Sequence, residues 1–184
     1  MLGILGIEFL VKYGLALDFE KRSLHSSSMI EKKMELSEYS FVFPQEYGFS
    51  KYGLPVVGMV KKGKEYICLV DSGSNLNITT KYVLGNGDIT NRHTGLKSSL
   101  TSVAGTKMTD LMNVDFDLLS IGNKIGEIKI KKYSTDFQVI DNSKFILEGE
   151  SNIPPISAII GAGFLLEQKW VVDFASGLVY SVNN

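Results

Sequence analysis

Apolar residues in this sequence fall mostly into short runs that are separated by glycine and polar residues. Residues 54–60 and 65–70 are two such runs, and both are rich in residues that favour β-strands. The polar stretch 61–64 between them contains a glycine, which is typical of a tight turn joining two antiparallel strands. The pattern therefore predicts a β-hairpin over residues 54–70.

A second hairpin is predicted around Ala104-Gly105-Thr106, because the runs 100–103 and 108–114 flank these small residues. Further strands are indicated by short β-prone runs, two of which alternate apolar and polar residues as a half-exposed strand does. These runs are Leu76–Thr80, Val114–Leu118, Ile128–Tyr133 and Phe137–Ile140. Because strands are predicted along most of the chain, the expected fold class is all-β.

Helical patterns longer than one turn are confined to two stretches, residues 7–13 and 162–169. Each is followed by a short apolar strand that ends in Asp-Phe. The all-β fold is therefore expected to carry one short helix near its C-terminus and a separate helix–strand segment near its N-terminus.

These two stretches belong to an internal repeat, in which residues 4–26 match residues 159–181 at an offset of 155. Seven of the 23 positions are identical, and the apolar pattern is also kept. Two copies so far apart do not make a solenoid. The repeat instead predicts the end of one domain, a linker, and a whole second domain that ends in the same way. The identical pairs are Ile4/Ile159, Gly6/Gly161, Phe9/Phe164, Leu10/Leu165, Asp18/Asp173, Phe19/Phe174 and Ser26/Ser181.

The amino-acid composition excludes several classes of protein and of structural site. The 184 residues suffice for one ordinary domain. Lys and Arg number 19 against 20 Asp and Glu, and this balance argues against a protein that coats nucleic acid. One cysteine, Cys68, and two histidines exclude a disulfide framework and a cysteine-based structural zinc site. No metal, no cofactor and no nucleic-acid partner are expected, and Cys68 is predicted to be a core residue.

Two stretches are apolar enough to be considered as a signal peptide or a membrane-spanning segment. Residues 1–10 lack a basic start, contain Glu8 and are not followed by a small-residue cleavage site. Residues 153–166 number 14, fewer than the roughly 20 that cross a bilayer, and they include two prolines. Both stretches are predicted to be buried core, with no membrane partner, and the cytoplasm is the expected location.

A carboxylate, Asp71, ends the apolar run 65–70 and is followed by Ser72, Gly73 and Ser74. Burial of an unpaired carboxylate costs free energy. A carboxylate at the end of an apolar strand therefore indicates either a hydrogen-bonding partner or a function. Gly73 permits a tight loop that brings the carboxylate into a cleft, and the two serine hydroxyls can donate hydrogen bonds that hold it. The alternative interpretation of this segment is a structural Asx-type turn.

The stretch from Tyr66 to Asn75 is an apolar strand that runs into Asp-Ser-Gly-Ser, and Ile159-Ile160-Gly161 follows far downstream, before a helix and a final strand. This combination resembles the aspartic peptidase superfamily, and the retropepsin-like branch fits best. The resemblance covers residues 40–184, while residues 4–26 resemble the closing segment of another such lobe.

The resemblance implies a domain organisation and an activity. Residues 1–26 would be a helix–strand segment like the end of another lobe, and residues 27–39 a linker. Residues 40–184 would form a lobe with an acid-protease-type closed β-barrel. The implied activity is that of an aspartic endopeptidase, a hydrolase that cleaves a peptide or protein substrate with an activated water and no cofactor.

Roles for individual residues follow from the same resemblance. Asp71 would be the catalytic carboxylate, supported by the loop residues Ser72, Gly73 and Ser74. Ser72 would take part in a hydrogen-bond lock between two active loops. The segment Ile159, Ile160 and Gly161 would pack beneath the active loop. The segment Ala104, Gly105 and Thr106 would form the tip of the flap that closes over the substrate.

Peptide hydrolysis by this route needs two carboxylates that share one proton across a water, and the sequence contains a single Asp-Ser/Thr-Gly. The second carboxylate would come from Asp71 of another subunit in a homodimer or from a second lobe. Since Asp71 precedes Gly161 by 90 positions, a longer natural chain should carry a first-lobe Asp about as far before Gly6. The alternative from another functional class is a catalytically silent protease fold that serves in binding or assembly.

Overall fold

The computed structural model describes residues 6–34, 40–42, 55–85, 92–102, 105–121, 128–140 and 156–181. Strands account for most of these residues and form two sheets, with a few short helices, so the all-β prediction is confirmed. Contacts define two compact units. The first contains the described parts of residues 1–57, 119–130 and 165–184, and the second contains those of residues 58–118 and 131–164.

Sixteen elements are described, four helices and twelve strands. In chain order they are α1 (Ile7–Lys12), β1 (Leu15–Asp18), β2 (Ser23–Ser26), α2 (Ser27–Met34), β3 (Ser40–Val42), β4 (Val56–Lys61), β5 (Lys64–Asp71), β6 (Asn77–Thr80), α3 (Lys81–Leu84), β7 (Arg92–Ser102), β8 (Gly105–Ile121), β9 (Ile128–Ile140), β10 (Ile156–Gly161), α4 (Ala162–Glu167), β11 (Trp170–Asp173) and β12 (Leu178–Ser181).

The first unit is built on a five-stranded sheet with the order β2-β1-β11-β12-β3. The internal repeat is visible in the secondary structure, because α1, β1 and β2 have the same lengths and spacings as α4, β11 and β12, shifted by 155 positions. The turns match as well. Gly14 and its equivalent Lys169 both have a left-handed φ, and so do Arg22 and its equivalent Gly177.

Helix α2 lies in the stretch that the sequence interpretation assigned to a linker, residues 27–39. Its Ile30 is buried in an apolar cluster of the first unit. That cluster consists of Ala16, Ile30, Val171 and Tyr180. The helix was not predicted because its sequence is mostly polar and charged, which gives only a weak helical period.

The second unit is built on a seven-stranded sheet with the order β4-β5-β10-β6-β9-β8-β7. Strand β4 also pairs with β8, where Met59 lies opposite Leu118, so the pairing runs back from β8 to β4. Strands β5 and β10 are parallel, as are β6 and β9. Each parallel pair joins segments that are distant in the sequence.

Both predicted hairpins are present. Strands β4 and β5 are joined by Lys62 and Gly63, whose φ angles of 52° and 72° are those of a two-residue turn that matches the twist of paired strands. Strands β7 and β8 form the second hairpin, in which Ser102 lies opposite Gly105.

Aromatic side chains form much of the core of the second unit. The ring centroid of Phe116 lies 5.5 Å from that of Phe137 and 5.7 Å from that of Tyr133. Phe164 lies 6.0 Å from Phe116 and 5.2 Å from Tyr133. Cys68 is also buried, which confirms the prediction that it is a core residue.

Candidate functional site

Asp71 is the last residue of β5, at the point where the buried strand meets solvent. Val70 before it is buried, Asp71 is half-buried, and Ser72 and Gly73 after it are exposed. One carboxylate oxygen, Oδ1, accepts a hydrogen bond of 2.9 Å from the Gly73 N–H. This bond turns the chain sharply and fixes the orientation of the carboxyl group.

Strand β10 lies beside β5 in parallel register. Ile160 lies opposite Val70 and Gly161 opposite Asp71, with Ile159 one position earlier. Ile160 and Gly161 are buried, and Ile159 is half-buried. The folded chain thus brings the Ile-Ile-Gly segment alongside the strand that ends in Asp71.

Gly161 is packed so closely against the loop after Asp71 that a side chain has no room. A Cβ atom at this position would lie 2.5 Å from the Leu76 carbonyl oxygen and 2.6 Å from that of Ser74. The next residue, Ala162, donates its N–H to the same Ser74 oxygen at 2.6 Å. Backbone contacts therefore hold the Asp71 loop against the end of β10, and this close approach requires glycine.

The two serines of the loop have different surroundings. Ser74 donates its N–H to the Asp71 carbonyl at 3.2 Å and its hydroxyl to the Leu76 carbonyl at 2.8 Å. These two bonds stabilise the loop from within. Ser72 is exposed, and its role in a lock between two active loops stays a prediction, because such a lock needs a second loop.

Asn77 also supports the site, and the sequence pattern alone does not indicate this. It is buried, and its Oδ1 accepts a hydrogen bond of 2.9 Å from the Gly161 N–H. Its Nδ2 donates to the Asp136 carbonyl at 3.1 Å. One amide side chain thus ties the end of β10 to β9. The only sequence signal was a polar residue at the start of a predicted strand.

The candidate flap lies at the turn between β7 and β8. Gly105, with a φ of 117°, and Thr106 are exposed, whereas Ala104 lies outside the described residues. Leu96 and Met108, on the two strands of this hairpin, expose 63% and 58% of their surfaces. Closure of the hairpin over a substrate stays a prediction.

Burial raises the pKa of the Cys68 thiol, which keeps it protonated and unreactive. Within the described ranges, no group of three or more His, Cys, Asp or Glu side chains could hold a metal ion. The Asp71 carboxylate, at the end of β5, is of a chemical type that can act as a general acid or base.

Two pockets are lined by described residues, and neither includes Asp71. One, of about 510 Å³, lies in the second unit between Lys61, Asp117 and Lys132. The other, of about 550 Å³, lies in the first unit beside Phe19 and Leu24. Asp71 lies at the end of β5 and lines neither of these two pockets.

No family model matches the sequence, and no curated protein matches it. In the part of the chain that the structure describes, no helix has the length and apolarity to cross a bilayer. The functional assignment therefore depends on the geometry around Asp71.

Proposed function

We propose that this chain supplies one half of the active site of an aspartic endopeptidase, with Asp71 as its catalytic carboxylate. The observation that carries the proposal is the register of Asp71 opposite Gly161. A strand that ends in Asp-Ser-Gly is paired in parallel with one that ends in Ile-Ile-Gly. The Asp71 loop is held at that junction by contacts that only glycine allows.

An acid-protease-type closed barrel is part of this proposal. The pairing in the second unit follows β4, β5, β10, β6, β9 and β8 and then returns to β4, and this continuous pairing supports a closed sheet. Asp71 lies at the end of one of these strands. A carboxylate at the rim of a closed sheet is accessible to a matching carboxylate from another lobe.

The proposed reaction uses Asp71 and its counterpart as a pair that shares one proton. The ionised carboxylate takes a proton from a bound water, whose oxygen attacks the carbonyl carbon of the substrate. The protonated carboxyl donates its proton to the carbonyl oxygen. The tetrahedral intermediate then collapses and the C–N bond breaks. The leaving nitrogen takes a proton from the pair, and a hydroxyl group of the intermediate returns a proton to the pair as the carboxylic acid product forms.

The substrate in this proposal is a peptide or an unfolded protein segment. The β7–β8 hairpin is the proposed flap, and its exposed Leu96 and Met108 supply apolar surface for substrate side chains. Burial of this apolar surface against substrate side chains would stabilise the enzyme–substrate complex. The Gly73–Asp71 hydrogen bond keeps the carboxylate oriented before the substrate arrives.

The test is peptide cleavage by a two-lobe chain, in which a copy of residues 40–155 is joined directly ahead of Met1. At the offset of 155, Met1 is equivalent to Ile156, so this junction continues the repeat without a gap. The two-lobe chain carries two copies of Asp71 and should cleave an unfolded protein. Replacing both copies by Asn should abolish cleavage.

Asp115→Asn is the matched control, since Asp115 is an exposed carboxylate of the second unit and its backbone oxygen, not its side chain, accepts the bond from Lys61. This variant should keep full activity. A folded two-lobe chain that cleaves no peptide would support the silent binding module instead. Cleavage that persists after both Asp71→Asn substitutions would exclude the proposed mechanism.

A further inference from the structure

The two copies of the repeat differ in how far their equivalent apolar residues are covered. Phe164, on α4, is 3% exposed and packs against Phe116 and Tyr133 in the second unit. Its equivalent Phe9, on α1, is 42% exposed. The same residue type at the same repeat position is thus a core residue in one copy and a surface residue in the other.

The sheet of the first unit shows the same difference. Val179 on β12 is fully buried, whereas its equivalent Leu24 on β2 is 42% exposed. Phe174 is buried, and its equivalent Phe19 is half-buried. Phe19 and Leu24 line the apolar pocket of about 550 Å³. An apolar surface that is covered in one copy is therefore open in the other.

The two copies of the repeat also differ in strand pairing. Strand β12 pairs on its outer side with β3, where Val179 lies opposite Phe41. Strand β2 is the equivalent of β12, but among the described residues it pairs with β1 alone and forms the edge of the sheet. Within the described ranges, no strand pairs with β2 as β3 pairs with β12.

We propose that Phe9, Phe19, Leu24 and the outer edge of β2 form one docking surface for a second lobe built like residues 40–161. Its first strand, equivalent to β3, would pair with β2. Its aromatic core would receive Phe9 as Phe116 and Tyr133 receive Phe164. The inference rests on the proposed function, since this lobe is the one that would bring the second carboxylate.

An intact second copy of this chain does not fit the surface. In such a copy Phe164 already fills the aromatic core, and β3 already pairs with β12. The occupant must therefore lack a closing helix and hairpin of its own. A lobe that ends where α1 begins meets this requirement, because α1, β1 and β2 then serve as its closing segment.

The first test measures thiol labelling of Phe9→Cys in this chain and in the two-lobe chain. Cys68 is buried and should label slowly in both. The added lobe should slow labelling at position 9 at least about tenfold, because labelling then needs a local opening. Met29→Cys is the control, since Met29 is exposed on α2, and its labelling should not change. Equal labelling at position 9 in both chains would overturn the proposal.

The second test needs only the present chain. Phe164→Ala should lower its melting midpoint by roughly 10 °C, because a core aromatic is lost. Phe9→Ala should change the melting midpoint by no more than about 2 °C, because Phe9 is exposed and is not part of a packed core. Equal losses from the two variants would mean that Phe9 already belongs to a core, and would overturn the proposal even if the two-lobe chain did not fold.

Cleavage and labelling distinguish this inference from the proposed function. A two-lobe chain that protects position 9 but cleaves no peptide would retain the docking surface and reject the peptidase. A two-lobe chain that cleaves peptide while position 9 labels freely would retain the peptidase and reject the docking surface.

Discussion

Leu17 and Val172 lie opposite each other in the adjacent antiparallel strands β1 and β11, and each occupies the same position in its own copy of the repeat. Exchanging the two copies therefore leaves this pair unchanged. The flanking pairs obey the same exchange, since Ala16 lies opposite Asp173 and Asp18 lies opposite Val171. The repeat is thus organised around a local two-fold axis between these strands.

Substitution of Gly161 should expose how closely the Asp71 loop is packed. Gly161→Ala would place a Cβ 2.5 Å from the Leu76 carbonyl oxygen, so backbone must shift and the free energy of unfolding should fall by about 2–3 kcal/mol. Gly6 is the equivalent residue of the other copy and has nothing within 4 Å of its added Cβ. Gly6→Ala should therefore cost less than about 1 kcal/mol in urea unfolding. Equal costs would contradict the packing described here.

Asn77→Ala should leave the buried Gly161 N–H without its acceptor. Loss of this bond, and of the bond from Asn77 to the Asp136 carbonyl, should lower the free energy of unfolding by about 1–3 kcal/mol. Hydrogen exchange at the Gly161 amide should accelerate. Asn75→Ala, at an exposed position of the same loop, should change neither quantity. An unchanged Gly161 exchange rate would show that Asn77 does not hold the end of β10.

Ser27 links α2 to the sheet through a buried carboxylate. Its hydroxyl donates a hydrogen bond of 2.6 Å to Oδ1 of Asp173, which is fully buried. Ser27→Ala should therefore lower the free energy of unfolding by about 1–3 kcal/mol. Ser28→Ala removes an exposed hydroxyl and should cost less than about 0.5 kcal/mol. Similar costs for both variants would argue against α2 as part of the first unit.

The buried thiol of Cys68 should make stability fall in alkaline solution. Its pKa is raised in the folded chain from an ordinary value of 9.0, so above that pH the unfolded chain loses a proton that the folded chain keeps. The contribution is fully present below pH 9.0 and declines by up to about 1.4 kcal/mol per pH unit above it. Urea unfolding at pH 8 and pH 10 should show this decline in the wild type and a smaller one in Cys68→Ala. Parallel pH profiles would contradict it.

Local sequence patterns predicted the strands and hairpins well, because turn residues and β-prone runs act over a few positions. The Lys62-Gly63 turn is an example. They could not predict that the separate runs 128–133 and 137–140 form one strand, β9. Nor could they show that β5 pairs with β10, since pairing between distant segments depends on the whole sheet. Helix α2 was missed for a related reason, as its burial depends on Ala16 and Tyr180 from elsewhere in the chain.

The parts of the candidate site that are formed by residues close together in the sequence could be predicted. Asp71 and Gly73 form the expected tight loop, and the Ile-Ile-Gly segment lies beside it. Asn77 was not predictable, because its value comes from a bond to Gly161, far away in sequence. The exposed state of Phe9 was equally hidden, since the repeat suggests that equivalent residues have equivalent surroundings.

Single substitutions in the two-lobe chain determine whether Asp71 is half of a shared site, as proposed above. Asp71→Asn is made in one lobe only, while the other lobe keeps its Asp, and peptide cleavage is measured. In the proposed mechanism neither carboxylate works without the other, so each single substitution should lower kcat by at least about 100-fold. Retention of about half the activity would show two independent sites and would contradict the account.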